Sequence, residues 1–256
     1  MDRWRGKTAV VTGASSGIGE AITGAFLQKG VNVAGLDVQE EKLVNAAEKW
    51  KKEGAPGTLH PIRCDVTSEQ EIENAFLWIE DNLNGVDIMV NSAGVTHYAR
   101  VIDSDRKAFE RLLNINVLAV AVCINRAVRS MRARNVEGHV FNVNSILGHE
   151  IPNGFLSEDE GANGWNLYPA SKHATVALTH TVRRELADIK APIRITSISP
   201  GLVKTEICKH SLALKDFYEK VPALNPEDVA DAVIYALGTR PEVQITELTI
   251  CRTGEM

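Results

Sequence analysis

The sequence predicts an α/β fold, a doubly wound and mainly parallel sheet of seven strands flanked by helices. Three observations predict it. Short β-rich apolar runs alternate with helix-period segments along the chain, a glycine turn joins the first run to the first helix, and no linker-like tract interrupts the alternation. One domain over residues 1–256 is therefore expected. Apolar residues make up 44% and charged residues 24%, a balance that supports a sizeable core and excludes a disordered or repetitive chain. The net charge of -5 comes from interspersed acids and bases, which argues against nucleic acid or an anionic membrane surface as the main partner.

Taken in order, Lys7 to Thr12 reads as a strand stopping at Gly13, and Ser15 or Ser16 caps a helix through Ile18, Ala21, Ile22 and Ala25 to Gly30. Val31 to Leu36 is a second strand ending at Asp37, which completes a βαβ unit. A helix from Glu41 to Glu53 and a glycine-proline break lead to a strand from Thr58 to Cys64, ending at Asp65. Glu69 to Leu83 is an amphipathic helix, Val86 to Val90 a strand, Asp105 to Arg134 one long helical stretch, and Gly138 to Val143 a further strand. The polar segment Gly148 to Asn166 reads as an inserted loop, followed by a helix from Tyr168 to Asp188 and a strand from Ile193 to Ile198. Pro200-Gly201 opens an irregular segment reaching Pro222, Pro226 starts the last helix, and Val243 to Ile250 alternates as the last strand. Met1 to Lys7 lacks the apolar centre of a signal peptide and Val117 to Ile124 is too short to span a bilayer, so a cytosolic protein with no membrane span is expected. Cys64, Cys123, Cys208 and Cys251 have no metal-ligand or disulfide spacing and are expected to be reduced and mostly buried, and no metal site is indicated.

Two features carry chemistry. Gly13, Ser15, Ser16, Gly17, Ile18 and Gly19 lie between strand and helix, where a glycine-rich backbone can approach a diphosphate and helix N-terminal amides favour its charge. Asp37, at the end of the second strand, suits the 2′ and 3′ hydroxyls of an adenosine ribose and would repel a 2′-phosphate. No cation occupies Ala14, Ser15, Ser16, Val38 or Gln39, so NAD is expected and NADP disfavoured. Asp65 and Val66 suit the adenine amino group and ring. Tyr168 and Lys172, four apart on a helix, share a face. A phenol that titrates near 10 needs roughly 3 units, about 4 kcal/mol, to ionise at neutral pH. One ammonium at about 4 Å and an effective dielectric near 20 contributes on that order.

With these residues in view, the chain resembles the short-chain dehydrogenases/reductases from about Trp4 to its C-terminus. The resemblance rests on Thr12-Gly13-x-x-x-Gly17-x-Gly19, Asn91-Ser92-Ala93-Gly94, Asn116, Ser145, Tyr168-x-x-x-Lys172 and Pro200-Gly201-x-Val203-x-Thr205. It implies a Rossmann fold in which Tyr168 is the general base or acid, Ser145 orients the substrate oxygen, Lys172 lowers the tyrosine pKa and binds the nicotinamide ribose, and Asn116 holds a proton-relay water. Asn91, Ala93 and Gly94 and the Pro200 to Thr205 segment are implied to serve the cofactor, the latter at its carboxamide. Met1 to Gly6 and Val243 to Ile250 are similar to a subgroup containing insect farnesol dehydrogenases and vertebrate member 11 proteins, which act on terpenoid alcohols, steroids and other hydrophobic carbonyls. Members of that subgroup commonly carry a basic pair after the second strand, where this chain has Asp37-Val38-Gln39, and the insertion before Tyr168 is longer than usual.

The expected reaction is hydride transfer between NAD and a small hydrophobic alcohol or carbonyl, a farnesol-like terpenoid first and a hydroxysteroid second. An NADP-dependent carbonyl reductase and a non-catalytic dinucleotide-binding protein are the alternatives. Residues 202–223 are expected to form the substrate lid, with Ile207, Leu212, Leu214, Phe217 and Tyr218, joined by Val95, His97 and Ile146 to Phe155. Family resemblance implies a homodimer or homotetramer through the long helices.

Overall fold

A computed structural model describes residues 1–151, 164–208 and 222–254. Thr8–Thr12 (β1), Asn32–Asp37 (β2), Leu59–Arg63 (β3), Ile88–Asn91 (β4), Gly138–Val143 (β5), Ile193–Pro200 (β6) and Glu247–Ile250 (β7) form one parallel sheet in the spatial order β3-β2-β1-β4-β5-β6-β7. All five residues of β1 and all six of β5 are buried, because a parallel sheet covered on both faces hides both sets of alternating side chains. Strand order reverses between β1 and β4, so the loops leaving their carboxyl ends open a crevice there.

The helices are Gly17–Gln28 (α1), Glu40–Lys52 (α2), Glu69–Leu83 (α3), Arg106–Leu113 (α4), Ala119–Ala133 (α5), Tyr168–Asp188 (α6) and Pro226–Gly238 (α7). Local chemistry sets several of their ends. Ser68 Oγ accepts from Glu71 N to start α3, and Asn84 ends it in the left-handed region at φ 58. Asn225 and Asp228 form a reciprocal capping box on α7, with Pro226 in its first turn. Ile22, Phe26 and Leu27 of α1 pack with Val229, Val233 and Leu237 of α7 against one sheet face. Ile72, Phe76 and Ile79 of α3 pack with Cys123, Ile124 and Met131 of α5 against the other.

At the amino-terminal edge of the sheet, three side chains converge on the last turn of α7. Trp4 Nε1 donates to Leu237 O at 3.0 Å, Arg3 donates to Leu237 O and Thr239 O, and buried Arg194 donates to Thr239 Oγ1 at 2.7 Å and Leu237 O at 3.4 Å. These donors satisfy carbonyls that a helix C-terminus leaves without partners.

Two expectations need correction. The stretch from Asp105 to Arg134 is not one α-helix, because a π-helical turn at Asn114–Leu118 separates α4 from α5. By composition, Arg106–Ala133 is the one described helical stretch long and apolar enough to cross a membrane; its α5 part packs one face, with Cys123, Ile124, Ala127 and Met131, into the core. The last strand is Glu247–Ile250 and does not begin at Val243. Val243 to Ile245 instead lies beside β6 mainly through side chains: Gln244 bonds Ile195 N and O, Thr196 Oγ1 donates to Ile245 O, and Arg194 donates to Val243 O, with the backbone pairing beginning where Ser197 N donates to Thr246 O. Cys64 and Cys123 are free and buried, and Cys251 is free and exposed.

Candidate active site

The turn after β1 packs closely. Gly13 has φ 68, and a Cβ there would lie 3.0 Å from the backbone of Ala93; a Cβ on Gly19 would lie 2.1 Å from Gly13 O, which no side chain tolerates. Thr12 Oγ1 accepts from Ser92 N and Ala93 N, both at 3.1 Å, and so joins this turn to the segment after β4. Ser16 is the N-cap of α1 but makes no side-chain cap bond, whereas Ser68 caps α3. The first amides of α1 therefore point from Gly17, Ile18 and Gly19 without a side-chain acceptor at the cap, a cradle that fits an anionic diphosphate.

Asp37 ends β2 in a buried position. Its carboxylate accepts from Ser15 N at 3.2 Å and Gln39 N at 3.0 Å, while Gln39 Nε2 donates to Ser15 Oγ at 3.1 Å. Both oxygens keep lone pairs for further donors. Lys42, in the first turn of α2, is paired with Glu206 at 3.7 Å. Asp65 Oδ1 accepts from Thr67 N and Oγ1, a local turn that takes up one oxygen, and Val66 packs partly buried on the core beside it.

Ser145, Tyr168 and Lys172 line one cavity of 360 Å³, together with Ile18, Gly94, Pro200, Gly201, Val203 and Thr205. Ser145 follows β5 and caps the short turn Ile146–Gly148, its Oγ accepting from Leu147 N at 3.2 Å. Lys172 Nζ donates to Val143 O at 2.7 Å and lies 5.5 Å from the Tyr168 ring centroid. Burial pushes the lysine down to about 8.

Asn116, in the π-helical turn, is buried and bonded to two other segments. Its Oδ1 accepts from Val95 N at 2.9 Å, and its Nδ2 donates to Val95 O at 2.9 Å and to Ser171 Oγ at 3.2 Å. Ser171 Oγ in turn donates to Tyr168 O at 2.7 Å. The asparagine side chain thus ties the loop after β4 to the first turn of α6. Asn91 is likewise a tie within the sheet, Nδ2 donating to Asn142 Oδ1 at 2.8 Å.

Sequence reasoning missed the aromatic wall of the cavity. Tyr98 and Trp165 both line it and meet at 5.4 Å between ring centroids, a tilted pair held by the parallel bridge between Ala99 and Trp165. Asn166 reinforces the bridge by donating to Ala99 O and Ser104 Oγ. Thr96 also lines the cavity and its Oγ1 donates to Ile207 O at 3.2 Å, whereas His97 is exposed and outside the lining. Extended backbone alternates side chains, so Thr96 and Tyr98 face in while His97 faces out. That parity was the available signal.

The expected lid is described only at its two ends. Leu224 N donates to Leu202 O and Lys204 N to Leu224 O, which joins the ends at a neck, and Ile207 reaches the cavity. Leu212, Leu214, Phe217 and Tyr218 lie outside the described residues, as does Phe155 of the insertion.

Comparison with known proteins agrees with this geometry. A family model for short chain dehydrogenases matches residues 7–215. Farnesol dehydrogenase of Aedes aegypti is 42% identical over all of this chain and 99% of that protein. Dehydrogenase/reductase SDR family member 11 of Mus musculus is 38% identical, over all of this chain and 98% of its own. Among solved structures, a short-chain dehydrogenase/reductase from Mycobacterium marinum is 28% identical with a TM-score of 0.83, covering 97% of this chain and 95% of that one. The closed form of a serine dehydrogenase complexed with NADP+ is 26% identical with a TM-score of 0.80, covering 95% and 94%.

Proposed function

This chain belongs to the short-chain dehydrogenase family of oxidoreductases, and from that premise we propose that it is an NAD-dependent dehydrogenase of hydrophobic alcohols, farnesol-like terpenoids first and hydroxysteroids second. The observation that carries the reading is the grouping of Ser145, Tyr168 and Lys172 around one mainly apolar, aromatic-walled cavity beside the glycine turn. A NAD cofactor would be held by the Gly13 to Gly19 cradle at its diphosphate and by Asp37 at its adenosine ribose. Its nicotinamide supplies the acceptor of hydride.

The side chains then divide the work. Tyr168, as phenolate, takes the alcohol proton, and in the reverse direction the phenol returns it. Lys172 is the adjacent cation that favours the phenolate. Its ammonium persists at neutral pH, since burial brings it down only to about 8. Ser145 accepts from Leu147 N, which leaves its O–H directed to donate to the substrate oxygen as charge develops there. Asn116 fixes the entry of α6 and hence the place of Tyr168. Tyr98 and Trp165 present the apolar surface that suits an isoprenoid or fused-ring substrate.

With purified protein, NAD and a panel of terpenoid and steroid alcohols, reduced nicotinamide should accumulate. Tyr168→Phe should lower kcat by about 10²- to 10⁴-fold while NAD still binds. Turnover that survives this change refutes the mechanism.

A second reading, NADP-dependent carbonyl reduction, draws on the NADP+ bound in the serine dehydrogenase at 26% identity. Side-by-side kinetics with the two cofactors separate the readings. The assembly is assigned to a homodimer or homotetramer in the cytosol, supported by an apolar groove between α5 and α6 lined by Ile124, Val128, Val182 and Ile189.

A further inference from the structure

We propose that Glu247, on β7 and outside the cavity, is a positioning residue for this reaction, holding Ser145 and the helix of Tyr168 and Lys172 in one frame through a hydrogen-bonded seam that runs inward from this partly buried carboxylate. This rests on the dehydrogenase reading and extends it to a strand that supplies no group to the cleft. One oxygen of Glu247 receives three donors: Ser199 Oγ at 2.6 Å, Ser197 Oγ at 3.2 Å and His149 Nε2 at 2.5 Å. A carboxylate only accepts, so it orients every one of them. With its proton directed to Glu247, Ser197 Oγ must accept, and it does so from Asn144 Nδ2 at 2.8 Å. That fixes the flip of the Asn144 amide, whose Oδ1 then accepts from Thr175 Oγ1 on α6.

The two ends of this seam bracket the reacting groups. Asn144 immediately precedes Ser145, and His149 immediately follows the Ile146–Gly148 turn that Ser145 caps, so both flanks of the serine turn are referred to Glu247. Thr175 lies one turn beyond Lys172 on the inward face of α6. Asn144, Thr175, Ser197 and Ser199 are all buried, at 3% exposure or less, where no bulk water can replace a misdirected bond. A single acceptor therefore sets the polarity of a chain that crosses β5, β6 and β7 and ends on α6.

The test compares wild type, Glu247→Leu, Glu247→Gln and Ser197→Ala in steady-state alcohol oxidation with NAD, well below each variant's melting temperature. Leucine removes the acceptor, and kcat should fall between about 10- and 100-fold with KM for NAD unchanged. Glutamine keeps an acceptor oxygen and should restore kcat to within about threefold of wild type. Ser197→Ala, which removes the link between Glu247 and Asn144 and keeps the packing, covers the case in which the leucine variant does not fold; its kcat should fall with KM for NAD again unchanged. Wild-type kcat in whichever of the leucine and alanine variants folds, or a glutamine variant as impaired as leucine, overturns the positioning role and leaves the dehydrogenase reading intact. A wild type that oxidises no alcohol in the panel overturns both.

Discussion

At the scale of single residues, the site places a lysine where stability and chemistry are opposed. Lys172 is buried and its pKa is lowered to about 8 from 10.5, so the charge that favours a Tyr168 phenolate costs the fold about 3 kcal/mol at neutral pH. Between these two values the unfolded chain binds more protons than the folded one, so this contribution to stability rises with pH from about 8 to 10.5. Denaturant titrations should show wild type gaining on Lys172→Met as pH is raised from 7 to 10; a constant difference would show that the lysine is not held as described. Asp37 gives the second test at this scale. Both of its oxygens are held by backbone amides of the β1 and β2 loops, and Val38 beside it is 55% exposed. Exchanging the anion for a cation there, as Asp37→Ala with Val38→Arg, should move the ratio of kcat/KM values from NAD toward NADP by at least about tenfold, read from initial rates with each cofactor. A wild type that already prefers NADP would remove the argument from Asp37.

Among the elements, α7 depends most on partners distant in sequence. Its C-terminal carbonyls are satisfied by Arg3, Trp4 and Arg194, from the start of the chain and from β6. Arg194→Met should cost about 3 kcal/mol in unfolding free energy, since it strands buried carbonyls and removes a partner of Glu137, yet leave KM for alcohol unaltered because this cluster is at the far end of the sheet. The same elements show what the sequence discloses. Strands β1, β2 and β5 were legible because burial on both faces requires uninterrupted apolar runs, and the glycine turn because only glycine fits at Gly13 and Gly19. Val243 to Ile245 misled because a strand-like alternation does not by itself make a backbone ladder; the bonds of these residues to β6 come from the side chains of Gln244, Thr196 and Arg194. The turn at Asn116 carries no distinctive composition, and the pairing of Tyr98 with Trp165 joins two loops that nothing local connects. Glu247 read as one more residue of an alternating strand, since its three donors come from β6 and from beyond Ser145.

For the whole molecule, the α5–α6 groove carries an apolar side chain at the surface, Ile189, which is 51% exposed. If copies of the chain meet there, Ile189→Glu should lower the mass seen by light scattering while the circular dichroism of the subunit is unchanged; an unaltered mass would place the interface elsewhere. The sheet offers a second surface, and its two margins differ. Cys64 N donates inward to Asp37 O, so with a period of two the nitrogen of Pro61 in β3 faces outward, where proline has no hydrogen to give. Ser197 N and Gly201 N take Thr246 O and Ile250 O, which turns the backbone groups of Glu247 and Thr249 in β7 away from the sheet. At the β3 margin Pro61 therefore removes a donor that an added strand would need, a local brake on strand addition at that edge.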